Sequence, residues 1–587
     1  MKDFLKYTFA TMTGLILAFI ALIAIGIISF TGMTIALTTE KPTALNNNSI
    51  VIIHLNGVMT EMPHESLFNI LEDAPSTISL QQTLKAIAYA KNTEQIKGIH
   101  LNTDFLSATP AALQELRTAL TDFKTSGKFI TTYADNYTLG TYYVCSVADK
   151  MILNPQGSIA WNGLSAETMF YKDLLEHLGI KMQTFKVGTY KSAVEPFTAN
   201  QMSEANRKQT SAYLHSIWNN ISQGVSNARG ISLDTLNAYA NRMLSFASAE
   251  ELLQKHMIDT LIYEGDVYDY INRTYNSNSD FNQTSTHTLC TLAESEQNLP
   301  IQDIIAIYHA EGEITDRQNN TNTPVISAPD MCEDLRNLAE DNQIKAVVIR
   351  VNSPGGSAFG SEQIWHEVMK LKTKKPVIVS MGGYAASGGY YISCAADSIV
   401  AEPGTLTGSI GIFGMIPSVE GLTDKIGIKT DRVSTHSHAG INSIFRPLDK
   451  EEHTAIQASV ERGYNLFVKR CAEGRNLSID TIYSLAEGRV WTGAMAKERG
   501  LVDELGGTAD AIRIAAQKAK LNTYLIQNYP EEKGWWEKLK HTRLDYLIQS
   551  QALQFLGTNH KELLFINQIK EQPAIQARIP YTITLNL

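Results

Sequence analysis

The segment IKAVVIRVNSPGGS, residues 344–357, decides the fold. Its opening run is rich in β-branched residues and apolar at consecutive positions, as in a strand buried on both faces, and it stops in a turn rich in glycine. The same grammar returns in KPVIVSM followed by GGYAASGGYY, residues 375–391, with the helical pattern SEQIWHEVMKLKTK, residues 361–374, between the two. Strands alternating with helices describe an α/β domain with a largely parallel sheet. In such domains chemistry collects where strand ends run into turns.

Working outward, residues 96–155 lie on residues 344–403 at a constant offset of 248 with no gap. Identities include Ile96/Ile344, Lys124/Lys372, Ile130/Ile378, Gly140/Gly388, Tyr142/Tyr390, Tyr143/Tyr391 and Asp149/Asp397. GSI recurs at Gly157 and Gly408, and GIK at Gly179 and Gly427. Two tandem copies of one domain are therefore expected. The divisions are an amino-terminal stub and anchor over 1–45, a front domain over 46–275, a polar linker over 276–300, a rear domain over 301–525 and a tail over 526–587. The linker reading rests on NRTYNSNSDFNQTSTHT, residues 272–288. Within the tail, EKGWWEKLKH, residues 532–541, reads either as an amphipathic helix on a membrane or partner or as a soluble packed helix.

At 587 residues, with 50 basic against 60 acidic residues and a net charge of −10, the chain has room for several cores and no basic stripe for nucleic acid. Five scattered cysteines form neither a CxxC pair nor a set at metal-ligand spacing, so neither a disulfide framework nor a zinc site is expected. No charged residue stands between Lys6 and Glu40, and LILAFIALIAIGIISF, residues 15–30, has the density of a membrane-spanning helix. A cleaved signal peptide fits less well, because its apolar core is shorter and ends at small residues. Lys2 and Lys6 against Asp3 favour a cytoplasmic amino end, which sends the rest of the chain across the membrane.

Chemistry points to the two glycine turns of the rear copy. NSPGGS, residues 352–357, can aim backbone N–H groups at a developing oxyanion, and the turn in MGGYAASGGYYIS, residues 381–393, raises Ser387 at a helix start. A serine hydroxyl needs a base. His366, His436 and His438 fall on a polar helix face or in a polar loop, and no Ser-His-Asp set stands out. The repeat supplies another candidate. VGTYKSAVEPF, residues 187–197, carries Lys191, whose partner in the rear copy is Ala439 or Ser437, while the front-copy partner of Ser387 is Leu139. Each copy thus holds one half of a serine–lysine dyad, provided that burial strips Lys191 of its charge near neutral pH. A solvated surface lysine is the plainer alternative.

RVNSPGGS, SMGGYAASGGYYIS, TLTGSIGIFG, VGTYKSAVEPF and GRVWTGAMAKERGLVDELGG, residues 488–507, together resemble the long, tandem-domain form of the signal peptide peptidase A (protease IV) family of serine–lysine peptidases. The resemblance runs from the anchor to Gly507 and implies tandem domains of the ClpP/crotonase fold. It further implies Ser387 as nucleophile, Lys191 as general base, Ser409 as the residue orienting the lysine, and an oxyanion hole near Gly355, Gly356 and Gly388. Neither cofactor nor metal is implied. The expected partners are peptide substrates, remnant signal peptides among them, the lipid membrane, and further copies of the chain in a homotetramer. The implied location is a bacterial inner membrane, crossed once, with the catalytic domains on the periplasmic side. Two other readings remain open: an acyl-CoA or thioester-processing enzyme of the crotonase type, and a membrane scaffold without catalysis.

Overall fold

In the computed structural model the chain is described at residues 45–63, 77–275, 280–295, 303–317, 324–531 and 575–578, with scattered residues before 26. The expected anchor over residues 15–30 and the expected helix over 532–541 lie largely or wholly outside these. Among the described residues no helix is long and apolar enough to cross a membrane.

Two parallel sheets follow from the two copies. The front sheet runs Thr77–Ser79, Ser49–Thr60, Ile96–Ser107, Phe129–Tyr137, Lys150–Ile159 and Thr260–Leu261 in spatial order. The rear sheet runs Val490–Thr492, Leu406–Gly408, Val377–Ala386, Ile344–Ser353, Ile304–Glu311 and Leu525–Tyr529. All these pairs are parallel except Leu406–Gly408 with Val490–Thr492. Ile344–Ser353 is buried along almost its whole length, as the apolar run Ala346–Ile349 requires. The helices between strands start on side-chain caps: Thr109 accepts from Ala112 N ahead of Pro110–Lys124, and Ser357 accepts from Gly360 N ahead of Ala358–Lys372.

Within the expected linker, residues 280–295 carry structure. Asn282–Ser285 pairs with Ser49–Ile52 at the edge of the front sheet, and the helix Thr286–Ser295 docks on Leu80–Asn92, where Lys85 pairs with Glu294. An edge strand faces solvent on one side, so polar composition does not forbid it.

The halves are not beads on a string. Lys181–Lys186 of the front half pairs antiparallel with Phe413–Ser418 of the rear half in a third sheet. Ala386, Leu406 and Val490 of the rear half sit in the front half's apolar core. Across the same junction Arg350, 1% exposed, donates to Glu61 at 3.0 and 3.1 Å and to Glu115 at 2.8 Å. The sheet that joins the halves ends beside Lys191.

Candidate active site

Ser387 stands between the strand Val377–Ala386 and the helix Gly388–Ser393 with φ +56° and ψ −111°. A side chain at positive φ is strained, and here the backbone is fixed from both sides. Ser387 N donates to Gly408 O at 2.8 Å, and Tyr391 N donates to Ser387 O at 2.8 Å. The hydroxyl makes no cap bond to its own helix, which leaves it for Lys191 and for Gly411 O at 3.3 Å.

Lys191 enters from the front half. It precedes the short turn Ser192–Val194, and its Nζ lies 2.8 Å from Ser387 Oγ, 3.1 Å from Ser409 Oγ and 3.2 Å from Ser409 O. Lys191, Ser387 and Ser409 are each 0% exposed. Burial alone drives the lysine pKa well below its ordinary value, with no carboxylate acting to hold the charge. The nearest acid in sequence, Glu195, is engaged elsewhere: it accepts from Ser203 N and Oγ and from Asn206 Nδ2. The Phe413 ring centre, 5.9 Å from Nζ, adds an apolar wall.

The geometry suits a neutral amine. Two N–H bonds directed at Ser409 leave the nitrogen lone pair for the proton of Ser387 Oγ. Ser409 has φ +49°, donates its N–H to Arg489 O at 2.7 Å and its hydroxyl to Gly488 O at 3.3 Å, and so presents both of its oxygens to the lysine.

Close backbone approach makes this possible. A Cβ on Gly488, itself at φ +74°, would stand 2.6 Å from Lys191 Cβ, so no larger residue fits while the lysine keeps its place. Gln209, on the helix Glu204–Arg229, ties the two loops together: its Nε2 donates to Tyr190 O at 3.1 Å and Ser192 Oγ at 3.2 Å, while its Oε1 accepts from Val490 N at 3.2 Å. Neither residue is marked as part of the site by the sequence alone. Gly488 opens a motif quoted above, whereas nothing separates Gln209 from the other polar residues of its helix.

Of the glycines expected at an oxyanion hole, Gly355 and Gly388 are neighbours: a Cβ on Gly388 would lie 3.2 Å from Gly355 Cα. Gly355 N donates to Ser353 Oγ at 3.1 Å. Gly356 faces the strand Glu313–Thr315, its position closed by Ile314 O at 2.2 Å from any Cβ. Elsewhere, His438, Asp449 and Glu452 bring metal-type ligand atoms within 4.8 Å of one another, but Arg446 already holds both oxygens of Glu452 at 2.6 and 2.7 Å. All five cysteines are free and buried, as small core residues.

Strand-end glycine turns, a buried serine at positive φ and a buried lysine beside it whose pKa is driven down by burial suit a hydrolase of the serine-nucleophile class on a mixed α/β fold. Comparison with known proteins narrows this. The model of peptidase family S49 matches residues 122–276 and 369–522, and that of Clp protease matches residues 301–410. Protease 4 of Haemophilus influenzae is 36% identical over 514 residues, covering 84% of this chain and 82% of that protein. The chloroplastic serine protease SPPA of Arabidopsis thaliana is 32% identical over 483 residues, 81% of this chain and 70% of that one. A putative signal peptide peptidase SppA of Enterococcus faecium is 35% identical over 230 residues, 36% of this chain and 66% of that one. The chain belongs to peptidase family S49. It is a serine protease with Clp-protease-like domains.

Proposed function

We propose that this protease works through a Ser387–Lys191 dyad and cuts apolar peptides beside a membrane, remnant signal peptides among them. The observation that carries the reading is the 2.8 Å approach of Lys191 Nζ to Ser387 Oγ at a site where, among the described residues, burial sets the lysine pKa and no carboxylate does. Neutral Lys191 takes the hydroxyl proton as Oγ attacks the scissile carbonyl, and amides near Gly355 and Gly388 stabilise the oxyanion. Lys191 then protonates the leaving amine. Water, deprotonated by the same lysine, releases the acyl group and regenerates Ser387. Ser409 orients the amine throughout.

The apolar run of residues 15–30 supports an anchor that crosses the membrane once, with the catalytic halves on its far side, the periplasmic side in a bacterium. An anchor next to a peptide groove brings bilayer-borne segments within reach, and the name of the Enterococcus faecium relative agrees with signal peptides as substrates. Assembly as a homotetramer completes the proposal.

Hydrolysis of an apolar fluorogenic peptide is the test. Ser387→Ala is expected to lower kcat by ~10⁴-fold or more, and Lys191→Ala by at least ~10²-fold. Full activity of Lys191→Ala across neutral pH would remove the lysine from the mechanism.

A further inference from the structure

The loop that carries the base is gripped from both halves. Gln209, 2% exposed, places its Nε2 3.1 Å from the carbonyl oxygen of Tyr190, just before Lys191, and 3.2 Å from Ser192 Oγ, just after it. Its Oε1 accepts from Val490 N at 3.2 Å. Val490 stands opposite Gly408 in the rear sheet, and Gly408 O accepts from Ser387 N at 2.8 Å. One side-chain amide thus ties the loop of the base to the strand that holds the nucleophile's main chain. The second grip comes from the rear half. Arg489 lays its guanidinium 4.9 Å from the ring centre of Tyr190 and 4.1 Å from that of Trp491, and Tyr190 N donates to Glu487 O at 2.9 Å. Trp491 is fixed in turn, its Nε1 donating to Leu485 O at 3.0 Å.

None of these contacts uses a carboxylate. Gln209 holds through a neutral amide, and Arg489 holds through a charge resting on aromatic faces. Among the described residues Arg489 has no ion-pair partner. Of the acids on the surrounding elements, Glu195 is held by Ser203 and Asn206, and Glu204 and Glu487 are exposed, as are the cations Lys186, Arg207 and Lys208. An anion in either grip would favour the charged lysine, whereas here burial alone acts on it. We infer that Gln209 and Arg489 are positioning residues for Lys191, the two jaws of a clamp that holds the base within reach of Ser387 without bringing it a negative charge. This rests on the dyad reading above. Both residues act through the lysine, so loosening either jaw costs rate and leaves substrate binding alone. A base displaced by about 1 Å is enough to cost ~10²-fold in rate.

Labelling of Ser387 by a fluorophosphonate across pH, together with kcat and KM for an apolar fluorogenic peptide, tests the clamp in the full-length protein. Gln209→Met is expected to lower the labelling plateau and kcat by ~10–10²-fold, and Arg489→Leu by ~3–10-fold, with KM within about twofold of wild type. In a Lys191→Met background neither change should slow the residual labelling by more than about twofold, because a residue that acts through the lysine then has nothing to act on. Gln209→Glu sets a carboxyl beside the base and should move the inflection of the pH profile upward. Arg489→Leu, at a partly exposed side chain, carries the test by itself if Gln209→Met does not fold. Wild-type rates in Arg489→Leu or in folded Gln209→Met, an equal loss with Lys191 absent, or an unmoved inflection in Gln209→Glu overturns the inference. Labelling of Lys191→Met as fast as wild type overturns instead the dyad reading beneath it.

Discussion

Leu139 and Ser387 occupy the same place in the two copies, one residue ahead of the shared Gly140 and Gly388. Their surroundings differ in backbone conformation and in what the side chain meets. In the front half the helix Leu139–Cys145 starts conventionally: Thr138 caps it from the extended region, φ −68° and ψ 166°, and accepts from Thr141 N. Leu139 is the first helical residue and is 2% exposed. In the rear half the chain reaches the same helix through Ser387 at φ +56° with no side-chain cap. The front copy keeps the stable local solution. The rear copy gives it up, and the gain is a hydroxyl free to meet Lys191. One duplicated turn thus carries structure in one copy and strain in the other, with the lysine supplied from the copy that has no serine.

Placing glycine at both positions should separate the two roles most strongly. Leu139→Gly empties a buried site and weakens a helix start, and is expected to lower stability by about 3–6 kcal/mol in a denaturant titration. If it costs under 1 kcal/mol, the front turn is not the packed element described. Next in size is the junction that keeps the unequal halves in register. Arg350→Met leaves Glu61 and Glu115 buried without their cation and should cost about 3–5 kcal/mol. Burial already raises the Glu61 pKa against the pull of Arg350. Loss of stability in this variant should therefore grow as pH rises from the ordinary carboxylate range toward the raised value of Glu61, whose buried carboxyl no longer has a cation to ionise against. The smallest effect has the opposite sign. Ser387→Gly relieves positive φ and should raise stability by about 1 kcal/mol while abolishing hydrolysis. A destabilised Ser387→Gly would mean that the serine backbone is not strained.

Much of this organisation is legible in the chain itself. Valine and isoleucine at 347–349 and again at 351 call for a strand covered on both faces, and the offset of 248 exposes the asymmetry of Ser387 and Lys191 because each lacks a counterpart. What stays hidden depends on approach in space. Arg350 meets Glu61 across 289 residues, and no local period marks that pairing. Gly488 is needed because Lys191 Cβ lies where its own Cβ would be, a fact of packing alone. The strand Asn282–Ser285 is concealed by polar composition, since an edge position needs only half a buried face. The tail strand IQAR, residues 575–578, is too short to show a period, and its neighbours lie far back in sequence.

Catalysis by a dyad requires Lys191 to act as an uncharged base. The most direct measurement is the rate at which a fluorophosphonate labels Ser387 as pH is varied, in wild type and in Lys191→Met. Because burial lowers the lysine pKa, the wild-type rate should climb with pH through one ionisation well below the ordinary lysine range and then level off. Lys191→Met should label ~10²–10⁴-fold more slowly and lose that rise. Labelling of Lys191→Met at the wild-type rate, with the same pH profile, would contradict the account.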